Sequence, residues 1–191
     1  MKPAGTRAGG KQRVHDLAVR RGRAHQAPAP KRSGPAPADS TVCQACGGVF
    51  RRKTWRRTPV RVTHALLARA AWGVCPACRQ VQTGGFLGRI VVRGSYLAAN
   101  EEEIRRRIRN VAERARYTQP ERRLVAMHRR PGELVVLTTS QKLAHRIVHE
   151  LKKAFKGRAE YAWSDRDRRL YAVWEREQDT GGAPATTAAW A

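Results

Sequence analysis

The stretch from residue 41 to residue 99 contains no aspartate and no glutamate, although it carries ten lysines and arginines. Folded surfaces normally intersperse charges of both signs, so this segment presents a positive field that no carboxylate offsets. The whole chain has 39 Lys and Arg against 15 Asp and Glu, which gives a formal net charge of +24. Such an excess favours a polyanionic partner, which is either nucleic acid or an anionic membrane.

Long apolar runs are also missing from the chain. No run of about 18 apolar residues occurs, as a membrane-spanning helix would need. The amino-terminal stretch MKPAGTRAGGKQRVHDLAVRRGR has no apolar core of the kind found in secretory signals. We therefore expect a cytoplasmic protein that binds nucleic acid and not a membrane.

Catalytic motifs are absent as well. The sequence has no glycine-rich phosphate loop, no Gly-x-Ser-x-Gly and no His-Glu-x-x-His. His145 and His149 lie four residues apart on a predicted helix, but no cysteine or suitably placed carboxylate completes a metal site with them. With no evident small-molecule substrate either, we expect that the chain is not an enzyme.

The chain has only four cysteines, arranged as the pairs Cys43-x2-Cys46 and Cys75-x2-Cys78. In a reducing compartment such pairs are more often metal ligands or redox centres than structural disulfides. Two pairs with this spacing close a tetrahedral four-thiolate site around Zn²⁺, and four protein ligands make the metal structural and not catalytic. A redox or iron–sulfur role is the alternative. A thioredoxin-like pair would start a helix after a strand in a βαβ unit, and neither pair is predicted to do so.

The first cysteine pair leads into the basic run RRKTWRR at residues 51–57. A metal-bound loop would hold these side chains in a fixed position, where the cations contact phosphates and Trp55 stacks on an unpaired base. Packing of Trp55 inside the module is the alternative. The predicted nucleic-acid-binding residues are Arg51, Arg52, Lys53, Trp55, Arg56, Arg57, Arg61, Arg89 and Arg93.

Composition divides the chain into four predicted segments. Residues 1–40 lack hydrophobic periodicity and carry nine Lys and Arg against two Asp, which predicts a disordered basic arm and linker. Residues 41–99 form a four-cysteine, zinc-ribbon-like module from which the strand RIVVR (89–93) extends. Residues 100–178 form a small α+β domain, and residues 179–191 form a flexible tail.

The α+β domain is predicted to have the order α-β-β-α-β-β, with four strands backed by two helices. The first helix spans residues 100–117, with Asn100 as its N-cap and Glu103 completing a capping box. The second helix follows Ser140 and ends before Gly157.

Two hairpins supply the predicted strands of this domain. The first pairs 123–128 with 133–140 around a Pro-Gly turn, and the second pairs 158–164 with 169–175.

Taken together, the two cysteine pairs and the stretch GRIVVRGSYLAANEEEIRRRIRN resemble bacterial zinc-ribbon proteins of unassigned function. These in turn are similar to the N-terminal part of the ribosomal large-subunit export adaptor family of archaea and eukaryotes. The stretch LTTSQKLAHRIVHELKKAFKGRAEYAWSDRDRRLYAVW resembles that family's next segment, so the resemblance covers residues 41–175. It implies zinc at the four cysteines and docking on the large ribosomal subunit. The adaptor has two four-cysteine sets and further C-terminal domains, so nuclear export does not carry over.

The leading hypothesis is a zinc-containing RNA-binding protein that associates with ribosomes or ribosomal RNA, in assembly or dormancy. One alternative is a DNA-binding regulator, which would place a helix in the major groove. Another is a zinc-dependent adaptor that grips an acidic protein.

Overall fold

A computed structural model describes residues 38–57 and 68–178 of the chain. Within these residues the protein forms three helices and two sheets, which confirms the predicted α+β class. The four cysteines lie close together, as the predicted four-cysteine module requires. The predicted basic arm up to residue 37, Arg61 and the predicted tail from residue 179 lie outside the described residues.

The cysteine module is built on a small sheet with strand order β3-β2-β1-β4. The first three strands form an antiparallel meander, and β4 pairs in parallel with β1. Helix α1 (Pro76–Thr83) follows the sheet. The strands are β1 (Thr41–Cys43), β2 (Val49–Arg51), β3 (Thr54–Arg56) and β4 (Trp72–Gly73).

A second sheet of five strands has the order β6-β7-β5-β9-β8. Helices α2 (Ser95–Thr118) and α3 (Gln141–Phe155) pack on one of its faces, and α3 begins directly after Ser140, as predicted. Both predicted hairpins are confirmed as β6-β7 and β8-β9. The strands are β5 (Gly88–Arg93), β6 (Leu124–Arg130), β7 (Glu133–Thr138), β8 (Arg158–Ser164) and β9 (Arg169–Glu175).

The expectation that RIVVR extends from the zinc ribbon is wrong, because β5 lies at the centre of the second sheet. It pairs antiparallel with β7 and parallel with β9. Ile90 and Val92 are fully buried against the helices, and Val91 is buried on the opposite face. A strand that is apolar on both faces belongs in the interior of a sheet. The second unit therefore has five strands, not four, and it begins before residue 100.

A short helical turn precedes the predicted start of the first helix. Helix α2 begins at Ser95, and Asn100 has non-helical backbone angles (φ −125°, ψ 21°) at a break inside it. The side chain of Asn100 donates to the carbonyl of Tyr96 at 3.1 Å. The extra turn is anchored by Glu177, whose carboxylate accepts hydrogen bonds from both the backbone N–H and the hydroxyl of Ser95. Asn100 therefore separates a short helical turn that begins at Ser95 from the long helix that the sequence predicts, and its side chain donates back to Tyr96 instead of capping the long helix.

The structure makes β5 part of the core of the second unit, and substitution of Ile90 tests this placement. Ile90→Ala should lower the free energy of unfolding by about 2–5 kcal/mol, because it leaves a cavity under both helices. Val81→Ala, at a side chain that is 40 % exposed on α1, should change it by less than about 0.5 kcal/mol. Denaturant unfolding followed by circular dichroism measures both, and similar costs for the two variants would contradict the central position of β5.

Candidate metal centre

The four cysteines come from two loops of the cysteine module that face each other. Cys43 ends β1 and Cys46 follows it in the turn before β2, whereas Cys75 precedes α1 and Cys78 lies in its first turn. All four Sγ atoms lie within 4.8 Å of one another, and those of Cys46 and Cys75 are 3.8 Å apart. Four thiolates about 2.3 Å from a tetrahedral metal stand about 3.8 Å apart. The cluster therefore fits one closed four-thiolate metal site.

Backbone geometry orients the sulfur atoms toward this centre. The N–H of Cys75 donates to the Sγ of Cys43 at 3.3 Å, and the N–H of Cys78 donates to the Sγ of Cys75 at 3.4 Å. Pro76 opens α1 at a position where the missing N–H costs no helical hydrogen bond. Gly47, at a φ of +68°, closes the turn after the first pair and donates its N–H to the Cys43 carbonyl at 2.8 Å. The local sequence thus supplies the turns that bring the two pairs together.

Burial opposes ionisation of the thiols. It raises the pKa of Cys75 and of Cys78. Burial also acts against ionisation of Cys46, but a hydrogen bond from Arg123, with the backbone N–H of Gly48, outweighs it and lowers the pKa to about 7. A bound cation would supply the positive charge that all four thiolates need in order to ionise together.

Arg123 connects the metal centre to the α+β domain. Its Nη1 donates to the Sγ of Cys78 at 3.0 Å, and its Nε donates to the carbonyl of Pro120 at 2.6 Å. Its backbone N–H donates to the hydroxyl oxygen of Thr139 at 2.9 Å. A guanidinium against the sulfurs offsets the net negative charge of a tetrathiolate centre and orients its ligands. Sequence reasoning missed Arg123, because 45 residues separate it from Cys78 and no local motif marks it.

A cleft of about 190 Å³ opens beside Cys46, where the cysteine module meets α2. Arg57, Arg116 and Arg123 line it together with Glu113. Three cationic side chains and one carboxylate therefore line the cleft. Arg116 lies 3.6 Å from that carboxylate. The metal centre is thus bordered by positive charge from both units.

The β2-β3 hairpin exposes most of the predicted contact residues. Register pairs Arg51 with Thr54, which leaves Arg52 and Lys53 as a two-residue turn with φ values of 49° and 63°. Positive φ at both turn residues is the geometry of a type I′ turn, which prefers Asn-Gly. We call the exposed cations of this element the basic hairpin, which comprises Arg51, Arg52, Lys53, Arg56 and Arg57.

Three other predicted contact residues do not belong to this exposed set. Trp55 is only 7 % exposed and packs against Phe50, with ring centroids 5.4 Å apart, so the packing alternative holds for it. Arg89 is 4 % exposed within β5, where burial lowers its pKa. Arg93 binds the Glu175 carboxylate at 3.0 Å. The structure does not bring Arg89 or Arg93 to the basic hairpin, because β5 belongs to the other sheet.

Comparisons of the chain with protein-family models, with curated proteins and with solved structures each found no match. Among residues 38–57 and 68–178, no helix has the length and apolar character of a membrane span.

Substitution of Arg123 tests whether it supports the metal centre. Arg123→Ala should weaken binding of a thiolate-preferring metal about 10- to 100-fold, because the sulfurs lose a charged hydrogen-bond donor. Co²⁺ titration, read from the absorption of tetrahedral thiolate coordination, measures the affinity. Arg122→Ala removes the same charge one residue away and should leave the affinity unchanged. Equal weakening in both variants would show that only net charge matters.

Proposed function

We propose that the chain is a zinc-containing RNA-binding protein of the cytoplasm, without enzymatic activity, that associates with ribosomes or ribosomal RNA. Four cysteine sulfurs that lie within 4.8 Å of one another can enclose one metal ion, and thiolate ligands favour Zn²⁺ over metals that prefer oxygen ligands. The observation that carries the proposal is the basic hairpin, which is exposed to solvent and built directly on the cysteine cluster.

The metal centre and the hairpin are joined through two aromatic rings. Phe50 on β2 and Trp55 on β3 are paired in register, and both pack in one small core with the cysteines. The rings therefore fix the two strands of the hairpin against the metal site, and the turn residues project beyond them. The proposed role of zinc is structural, as the support of a cationic surface.

The turn itself supports a binding role. Arg52 and Lys53 occupy the left-handed region, which costs a non-glycine residue about 1–2 kcal/mol. Unfavourable backbone geometry of this kind concentrates at functional sites. Two long cations at a turn that favours Asn-Gly are well suited to contact phosphates of RNA.

Helix α2 supports RNA over duplex DNA as the partner. Arg105 binds the Glu101 carboxylate at 2.8 Å, and Arg109 binds Glu102 at 3.0 Å. These ion pairs engage two of the arginines that a helix in the major groove could present to the bases. The resemblance of residues 41–175 to the ribosomal export adaptors supports the ribosome as the source of the RNA.

Replacing the turn with its preferred sequence separates binding from folding. The double variant Arg52→Asn/Lys53→Gly should keep or raise the stability of the module, because Asn-Gly suits the type I′ turn. Its affinity for ribosomal RNA should fall. The plot of log affinity against log salt should become shallower, with the magnitude of its slope lower by about 1–2, because two phosphate contacts are lost. Filter binding over a range of salt concentrations measures both quantities.

The matched control for the turn variant removes two exposed arginines from α2. Arg106→Gln/Arg114→Gln changes the net charge by the same amount but leaves the hairpin intact. It should retain most of the affinity. If the two double variants bind RNA equally weakly, the total charge and not the hairpin accounts for binding.

Sedimentation of the full chain from a cell lysate tests the ribosomal assignment. The protein should migrate with one ribosomal subunit at moderate salt and return to the top of the gradient after nuclease treatment. Cys75→Ser, which removes one metal ligand, should abolish co-migration. Migration across all RNA-containing fractions that is lost at modest salt would indicate only non-specific electrostatic binding and would count against the proposal.

A further inference from the structure

A row of aromatic rings lies on the α+β domain, away from the metal centre. Tyr161 and Trp163 occupy alternate positions of β8 and so share one face of the strand. Their ring centroids are 5.8 Å apart and their planes differ by 27°. His145 of α3 lies beside them, with its ring centroid 5.0 Å from that of Tyr161 and 6.4 Å from that of Trp163. We call His145, Tyr161 and Trp163 the aromatic row.

The outer end of this row is open to solvent. Trp163 is 56 % exposed, whereas Trp174 in the same sheet is fully buried. Strand β8 is also the last strand in the order β6-β7-β5-β9-β8 of the described sheet. A single exposed tryptophan is ordinary, but stacked rings at the edge of a sheet present a flat apolar surface on which another planar group can stack.

Positive charge borders the aromatic row. Lys142 and Lys152 lie three and seven residues from His145, so they share its side of α3, and both are exposed. The one carboxylate of α3, Glu150, binds Arg107 of α2 at 3.0 Å and so faces the other flank of the helix.

On the strand side, the exposed carboxylate nearest in sequence to Trp163 is Asp165 in the β8-β9 turn, where Arg166 and Arg168 are also exposed. This turn contacts α3 directly, because the Gln141 side chain donates to the carbonyl of Arg168 at 2.5 Å. Cations therefore stand on both sides of the aromatic row, and Glu160 of β8 is paired with Arg158 at 3.4 Å.

We propose that the aromatic row is a stacking platform for unpaired bases of single-stranded RNA, with Lys142 and Lys152 contacting the phosphates. Stacking uses the flat face that every base has, and adjacent cations follow the backbone of the strand. The inference rests on the proposed function, because it assigns the base-contacting site of the same RNA-binding protein. It places that contact at Trp163, since Trp55 is buried in the cysteine module.

Binding of two matched oligonucleotides to the full, metal-loaded chain tests this assignment. The first probe is a fluorescent single-stranded adenosine RNA of about 12 nucleotides, within the range that such surfaces occupy. The second has the same length and phosphate charge but lacks bases. Trp163→Ala should weaken binding of the first probe roughly 5- to 100-fold and leave binding of the abasic probe unchanged. Trp163→Phe should restore most of the affinity.

Trp72→Ala is the matched control, because Trp72 is 53 % exposed but lies in the cysteine module. It should bind both probes as the unsubstituted chain does. Circular dichroism and metal content of each variant verify that it folds.

Unchanged binding of the adenosine RNA by folded Trp163→Ala would overturn the platform, and so would equal weakening for both probes or for both tryptophan variants. In those cases a partner other than an unpaired base, such as an apolar protein surface, would have to explain the exposed rings. If the unsubstituted chain binds ribosomal RNA at moderate salt, these results reject only the platform. If it binds no RNA, the proposed function fails with it.

Discussion

The convergence of four cysteine sulfurs is the constraint on which the cysteine module depends. The module has little core of its own beyond Phe50, Trp55 and the cysteines themselves. Segments this small rarely bury enough apolar surface to fold alone, and a structural metal commonly supplies the missing stability. The same cluster fixes both ends of the module, since one cysteine pair lies in the β1-β2 turn and the other at the start of α1. With a metal bound, the four thiolates would supply negative charge within this carboxylate-free, strongly basic segment.

Arg123 extends this constraint to the second unit. It belongs to the α+β domain through its bonds to Pro120 and Thr139, and it reaches the sulfur of Cys78. The metal centre is thereby both the core of one unit and its attachment to the other. Two surfaces of different character result. The basic hairpin exposes cations that would contact phosphates in the proposed function, whereas the aromatic row exposes flat rings that would contact bases. A protein that grips structured RNA together with an unpaired strand needs both kinds of contact.

The sequence predicts the parts of this structure that local patterns determine. Cysteine spacing identifies all four members of the cluster, and the Pro131-Gly132 turn and the alternation around it locate the β6-β7 hairpin. Long-range contacts determine the rest. The apolar strand β5 is recognisable as a strand, but only its pairing with β7 and β9 assigns it to the second sheet. Glu177 holds the first turn of α2 from 82 residues away, and Arg123 reaches the cluster in the same non-local way. Nor does composition distinguish the buried Trp55 from the exposed Trp163, because their exposure depends on which side of each sheet is covered.

We propose that a bound metal holds the basic hairpin in a fixed shape and that this shape is needed for RNA binding. The most direct measurement is the affinity for ribosomal RNA of the metal-loaded chain, of the chain stripped by a chelator, and of the stripped chain after Zn²⁺ is restored. Circular dichroism would verify that α2 and α3 persist throughout. Removing the metal should weaken binding at moderate salt about tenfold or more, because the fixed phosphate contacts of the basic hairpin would be lost, and Zn²⁺ should restore the affinity. Unchanged affinity and unchanged salt dependence in the stripped chain would show that the hairpin needs no metal to bind RNA.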